Sequence, residues 1–250
     1  MHSGVTAPAP TVERAATARL LSIGFSPPDV ATMAELRSLA AALAEGDAGD
    51  EALNVLANAL ADVDADDVAC EFERLFGCQV VCSPYEAGYE PDPFRGTRQI
   101  ADVAGFYRAF GATSEGPAAE RPDHIACQLE FLAFLAARRV AAVESGDGDE
   151  DVFLAGIEAE FLESHLGRFM GRFCDAVGRE TGSAVFAAFA GVGARFIAAE
   201  LAARRITPPE PRRAVHTAVD GDEITCGMAG GCALTDIIGR SEKHSGSRRT

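Results

Sequence analysis

The stretch Glu120-Arg121-Pro122-Asp123-His124-Ile125-Ala126-Cys127-Gln128-Leu129-Glu130-Phe131-Leu132 decides the fold. It begins with a short polar run around a proline and then becomes periodic. Ile125, Leu129, Leu132, Ala136, Val140 and Val143 recur three and four residues apart, the repeat of one face of an α-helix. Asp123, directly after Pro122, reads as the N-cap of that helix.

The same period extends to both sides. Upstream, helices are predicted over 11–22 and 29–44, with Pro27 and Pro28 between them, and over a segment carrying Leu53, Leu56 and Leu60. Asp64 is placed to cap a helix that ends near Phe76 and buries Val68, Phe72 and Leu75. Residues 77–97 hold Pro84, Pro91, Pro93, Gly88 and Gly96 and keep no period. They read as a long loop, and long loops in helical proteins are often functional. Helix returns over 98–110, with Ile100, Val103, Phe106, Tyr107 and Phe110 as its stripe and Gly111 as its stop. Residues 112–122 read as a second loop and as a hinge.

Downstream, one long helix is predicted over 151–178, with Phe153, Ile157, Phe161, Leu162, Phe169, Phe173 and Val177 facing inward. The segment 183–205 is apolar around much of its circumference and reads as the buried central helix. Gly191 and Gly193 there leave room for a close neighbour. Pro208, Pro209 and Pro211 end the folded body. The expected organisation is a disordered start over 1–10, one all-α domain over 11–205 made of two packed helical parts, and a flexible tail over 206–250.

Composition narrows the function classes. The net charge is −16, all of it within residues 1–205, because the tail carries equal numbers of acidic and basic residues. Such a body repels nucleic acid and attracts basic partners such as an arginine-containing peptide; it also simply maintains solubility. The single lysine is Lys243, so no Walker-type phosphate loop exists. The first ten residues lack a charged start followed by an apolar run, and the most apolar stretch contains Arg195 and Glu200. A cytoplasmic protein without stable membrane insertion is therefore expected.

The seven cysteines are odd in number and predict reduced thiols. Cys70, Cys127 and Cys174 read as small core residues, and Cys78 with Cys82 lacks a second ligand pair for zinc. Cys226 and Cys232 flank Met228 in a glycine-rich stretch, which makes them weak candidates for a soft metal or for redox exchange. No resident metal or other cofactor is expected.

Three segments read together resemble the TorD/DmsD/NarJ family of redox enzyme maturation proteins. They are Leu75-Phe76 followed by Ser83-Pro84-Tyr85-Glu86 and Tyr89; Phe106-Tyr107 with Phe110-Gly111; and Glu120 to Leu132 as quoted above. Phe161 with His165-Leu166 adds a weaker match. The chain departs from the family pattern at Gln128, where Glu is usual, and at Phe169, where Trp is frequent; it has no Trp at all. The resemblance covers roughly residues 11–205. It implies an all-helical chaperone without a catalytic cycle. The implied partner is the catalytic subunit of a molybdopterin oxidoreductase, bound at its N-terminal twin-arginine signal or an equivalent segment before cofactor loading and export. A hinged helical fold also permits exchange of elements between two copies, a route to a homodimer.

A receptor for paired guanidinium groups beside an apolar stretch needs carboxylates next to an apolar surface. The residues expected to supply it are Tyr85, Glu86, Glu120, Pro122, Asp123, His124, Gln128 and Glu130. Asp123 and Glu130 are seven apart and are expected to share a helix face. Bland readings stand beside these. Asp123 is also a plain cap, Glu130 a solvated charge, Tyr85 and Tyr89 packing rings, Pro122 a shaper of the chain, and His165 an edge-of-core residue. The alternatives to the chaperone are a helical scaffold or a thiol- or metal-handling protein acting through Cys226 and Cys232.

Overall fold

The computed structural model describes residues 8–46, 50–77, 80–112 and 120–208. The start of the chain, the centre of the expected hinge at 112–122, Cys78, and almost all of the tail with Cys226 and Cys232 lie outside these residues. Among the described residues the chain is all-α, with one isolated bridge between Tyr85 and His124.

The helices are α1 (Val12–Gly24), α2 (Val30–Ala44), α3 (Glu51–Ala61), α4 (Ala65–Phe76), α5 (Pro93–Ala109), α6 (Ile125–Ser145), α7 (Gly148–Phe161), α8 (Gly167–Glu180) and α9 (Ala184–Arg204). Their starts follow capping chemistry. Thr11 caps α1, Asp29 and Thr32 form a capping box on α2, and Asp50 and Asp64 cap α3 and α4. Two boundaries depart from the sequence reading. Helix α5 begins at Pro93, because Asp92 caps it and proline is preorganised for the first helical position. The long downstream helix is one rod, but a π turn over Leu162–Leu166 separates α7 from α8.

Helix α1 lies along α6 and α2, α3 lies against α2 and α9, and α8 against α9. Leu20, Leu21, Ile23 and Phe25 of the first segment are all buried. Phe25 meets Phe173 edge-on with ring centroids 4.9 Å apart, and Phe189 at 5.9 Å. Helix α9 buries Val185, Phe186, Phe189, Val192, Phe196 and Ile197, yet Ala187, Gly191, Arg195 and Ala198 are exposed. It is therefore not the central helix: it buries one face only. Gly193 does admit a neighbour, since a Cβ there would sit 2.8 Å from Cys174 Sγ, whereas nothing approaches Gly191. Phe153, expected inside, is 55% exposed, and Cys70 is also exposed, both on outer faces of their helices.

A buried ion network joins four helices. Glu158 of α7 accepts from Arg14 of α1 at 2.8 Å, Arg139 of α6 at 2.8 Å and Arg204 of α9 at 2.7 Å. Glu200 pairs with Arg14 and Arg204, and Asp151 with Arg139. Arg139 also donates to the Pro8 carbonyl, which ties the chain's early residues to the body.

Candidate functional site

The loop after α4 crosses the start of α6, and backbone hydrogen bonds lock the crossing. Glu86 N–H donates to the Asp123 carbonyl at 2.9 Å, and Ile125 N–H donates to the Pro84 carbonyl at 2.8 Å. This brings Tyr85 against His124, ring edge to ring face, with centroids 5.2 Å apart.

His124, not Asp123, caps α6. Its Nδ1 accepts from Ala126 N–H at 3.2 Å. Burial lowers the pKa of this ring, against the opposing pull of Glu120 and Asp123, and a neutral Nδ1 is what the cap requires. Asp123 precedes the helix and is wholly buried, so it shares no helix face with Glu130. Its carboxylate takes both arms of the Arg121 fork, at 3.0 and 2.8 Å, and the Ala87 N–H at 3.2 Å. The motif therefore neutralises its own aspartate and uses it to pin the loop.

Arg121 in turn lies over the Tyr85 ring, 4.3 Å from its centroid. Glu120 accepts from the Tyr85 hydroxyl at 3.0 Å and from Arg121 N–H at 2.8 Å. Partial burial and the Glu120 bond push the Tyr85 hydroxyl pKa up. Pro122 contributes its carbonyl, which accepts from Tyr107 Oη at 2.8 Å.

Glu86 and Gln128 form a second group behind the first. Gln128 Nε2 donates to Glu86 at 2.8 Å, and His165 Nδ1 lies 3.2 Å from the same oxygen; all three residues are buried. Glu130 stands apart: its exposed carboxylate pairs with Arg19 of α1 at 3.2 Å. Tyr85, Glu120 and Pro122 thus reach the surface, the buried Asp123 and His124 hold them from beneath, Glu86 and Gln128 lie further in, and Glu130 is a separate charge. Arg121 and Tyr107 are outside the expected set, although both stand in the motifs quoted for the resemblance, because a receptor for guanidinium groups gives no reason to look for a cation of its own or for a ring whose hydroxyl is spent on a backbone carbonyl. His165 is outside it because a histidine among phenylalanines reads as core. Among the described residues no three His, Cys, Asp or Glu side chains are grouped to hold a metal.

Residues 40–175, more than half of the chain, match the family model described as nitrate reductase delta subunit. The chain belongs to this family. The family is one of maturation chaperones, not of enzymes, in line with the TorD/DmsD/NarJ resemblance. A selenate reductase assembly chaperone protein from Thauera selenatis is 35% identical over 97 residues, which are 39% of this chain. The chain spans about half the length of that curated relative, 49%. A solved structure of a candidate redox enzyme maturation protein from Archaeoglobus fulgidus is 22% identical, covers 74% of this chain and 93% of that one, and superposes with a TM-score of 0.50. That likeness is one of fold.

Proposed function

We propose that the chain is a cytoplasmic chaperone for the catalytic subunit of a molybdopterin-containing oxidoreductase. It binds the N-terminal signal segment and the apo form of that subunit, and assists cofactor insertion and assembly before export. The observation that carries this reading is the surface formed by Tyr85, Glu120 and Arg121, held on a loop that Asp123 and the Tyr85–His124 bridge fix to α6. A preformed patch loses little entropy when a peptide settles on it. The half-buried tyrosine ring offers apolar area, and the exposed Glu120 carboxylate, held by the Tyr85 hydroxyl, places negative charge at its edge. The net charge of −16 attracts a basic segment over longer range. The relative's name, a selenate reductase assembly chaperone, supports a reductase subunit as the client class.

Two measurements test this. The tagged chain, pulled down from its native host, recovers a molybdopterin oxidoreductase, and deletion of that enzyme's N-terminal segment abolishes recovery. In titrations with a peptide carrying an Arg-Arg pair before an apolar stretch, the Glu120→Lys/Glu130→Lys double variant binds about tenfold more weakly, roughly 1.4 kcal/mol. Equal affinity for the double variant and the parent would remove Glu120 and Glu130 from the site. Absence of any molybdopterin enzyme from the pull-down, in cells that express one, would remove the function.

A further inference from the structure

Tyr85 reaches the surface, but the residue after it is buried. Glu86 opens the 3-10 turn Glu86–Tyr89, and only 2% of its side chain is exposed. No arginine pairs with this carboxylate among the described residues. Its side-chain partners come from two other elements. Gln128 of α6 donates at 2.8 Å, and Nδ1 of His165 in the π turn lies 3.2 and 3.3 Å from the two oxygens.

The π turn aims that ring, and turns of this kind are frequent at functional sites. His165 is as deeply buried as Glu86. Phe106 meets it edge-on with centroids 5.5 Å apart, and Phe161 lies at 5.6 Å. Its Nε2 is 3.4 Å from the exposed Asp102 of α5, so the loop, the π turn and α5 meet at one ring. The bond to Glu86 does not depend on the charge of the ring. An Nδ1–H is present in the imidazolium and in one of the two neutral tautomers, and a facing carboxylate favours both.

The consequence falls on Tyr85. A buried carboxylate that loses a donor costs more than the bond was worth, because its desolvation is no longer offset. Gln128 alone supplies only a neutral amide. The turn relieves the cost by swinging Glu86 out to water. That movement draws Glu86 N–H from the Asp123 carbonyl, 2.9 Å away, and Ala87 N–H from the Asp123 carboxylate, 3.2 Å away. On the other side of Tyr85 it loosens the 2.8 Å bond from Ile125 N–H to the Pro84 carbonyl. Tyr85 lies between these bonds, so its ring leaves His124 and Arg121, and its hydroxyl leaves Glu120.

We infer that His165 is a positioning residue of the Tyr85 surface: through Glu86 it holds the loop in the place from which a client segment is bound. The inference rests on the proposed chaperone reading and adds the residue that sets the geometry of its site from beneath. It touches no client itself.

Amide hydrogen exchange of the full chain, resolved by residue, tests the tie without any peptide. In His165→Leu the amides of Glu86, Ala87 and Ile125 lose about tenfold or more of their protection, while those of α3 keep theirs. His165→Asn, whose side-chain amide can stand where Nδ1 stands, restores the three amides. Glu86→Gln, which keeps the volume and gives up the charge, shows an intermediate loss at the same positions. Affinity for the Arg-Arg peptide falls in the same order. Unchanged protection in His165→Leu would sink the inference. So would an equal loss in α3, which would make His165 a core residue only, or a His165→Asn protein as loose as His165→Leu. If the three amides loosen and the peptide binds as tightly as to the parent, the surface that His165 holds is not the one the peptide uses, and the inference again fails. If the parent binds no peptide, the peptide-binding reading falls, and exchange alone still decides whether His165 holds the loop.

Discussion

Protonation of His124 removes the acceptor that caps α6, so the residue couples helix stability to pH. Burial depresses its folded pKa below the ordinary value near 6.5, and the unfolded chain therefore binds the proton more readily. The sign follows: the contribution is complete above about pH 6.5 and is lost as pH falls through 6.5 towards the folded value. His124→Asn keeps a capping acceptor and lacks the titration. Urea unfolding at pH 7.5 and at pH 5.5 should show the parent losing more stability than His124→Asn, by up to about 1 kcal/mol. Glu71, whose bond to Arg74 holds its carboxyl pKa down to about 2, titrates lower and is common to both proteins. Equal losses in the two proteins would show that the cap does not sense pH. At this scale the sequence was legible in residue type and misleading in role. Pro122, Asp123 and His124 do lead into α6, yet the cap lies one residue later than expected because Asp123 has a better partner in Arg121, two residues away and bidentate. Spacing along the chain carries no record of that choice, which depends on the loop at Ala87 arriving from elsewhere.

The rod from α7 to α8 shows the same limit for an element. Its apolar period predicts one helix over 151–178, and the rod is continuous, but the π turn at Leu162–Leu166 shifts the face presented after it. That shift belongs to the segment that brings His165 to Glu86. Gly167 allows it: a Cβ at this position would lie 2.4 Å from the Leu162 carbonyl oxygen and 2.8 Å from Leu201 Cδ2. The nearer obstacle is backbone, which cannot rotate away. Gly167→Ala should therefore destabilise the chain by about 1–3 kcal/mol, although alanine is the better helix former by roughly 1 kcal/mol. For a chain of this size the loss corresponds to a fall in Tm of about 2–12 °C. A Gly171→Ala control, where nothing lies within 4 Å, should be neutral or stabilising. A Gly167→Ala protein as stable as that control would mean that the π turn is not held by this contact. Helix α5 teaches the complement. Asp92-Pro93 is a start signal written in the sequence, and it was passed over because three prolines in one stretch read as loop.

At the scale of the molecule, helical periodicity was enough to give an all-α body, but the buried charges were not legible. Arg14 and Glu200 are separated by 186 residues, and no local pattern connects them. The acidic excess reads as surface, while Glu158 and Glu200 are buried within it. Their network has a centre. Arg14, Arg139 and Arg204 all reach Glu158, whereas Asp151 serves Arg139 alone and is partly exposed. Neutralising Glu158 leaves three arginines to share Glu200 and Asp151 in surroundings where an uncompensated charge is costly. Glu158→Gln should lower stability by about 3–5 kcal/mol, a Tm loss on the order of 10 °C. Asp151→Asn removes one contact of one arginine at the rim, so its cost should be nearer 1 kcal/mol. Thermal and urea unfolding of both variants decide the matter. If they lose stability equally, the arginines do not depend on Glu158, and the junction of α1, α6, α7 and α9 is held by its apolar packing. If Glu158→Gln alone loses several kcal/mol, the network clamps those four helices together, reaching α6 through Arg139 in its second half.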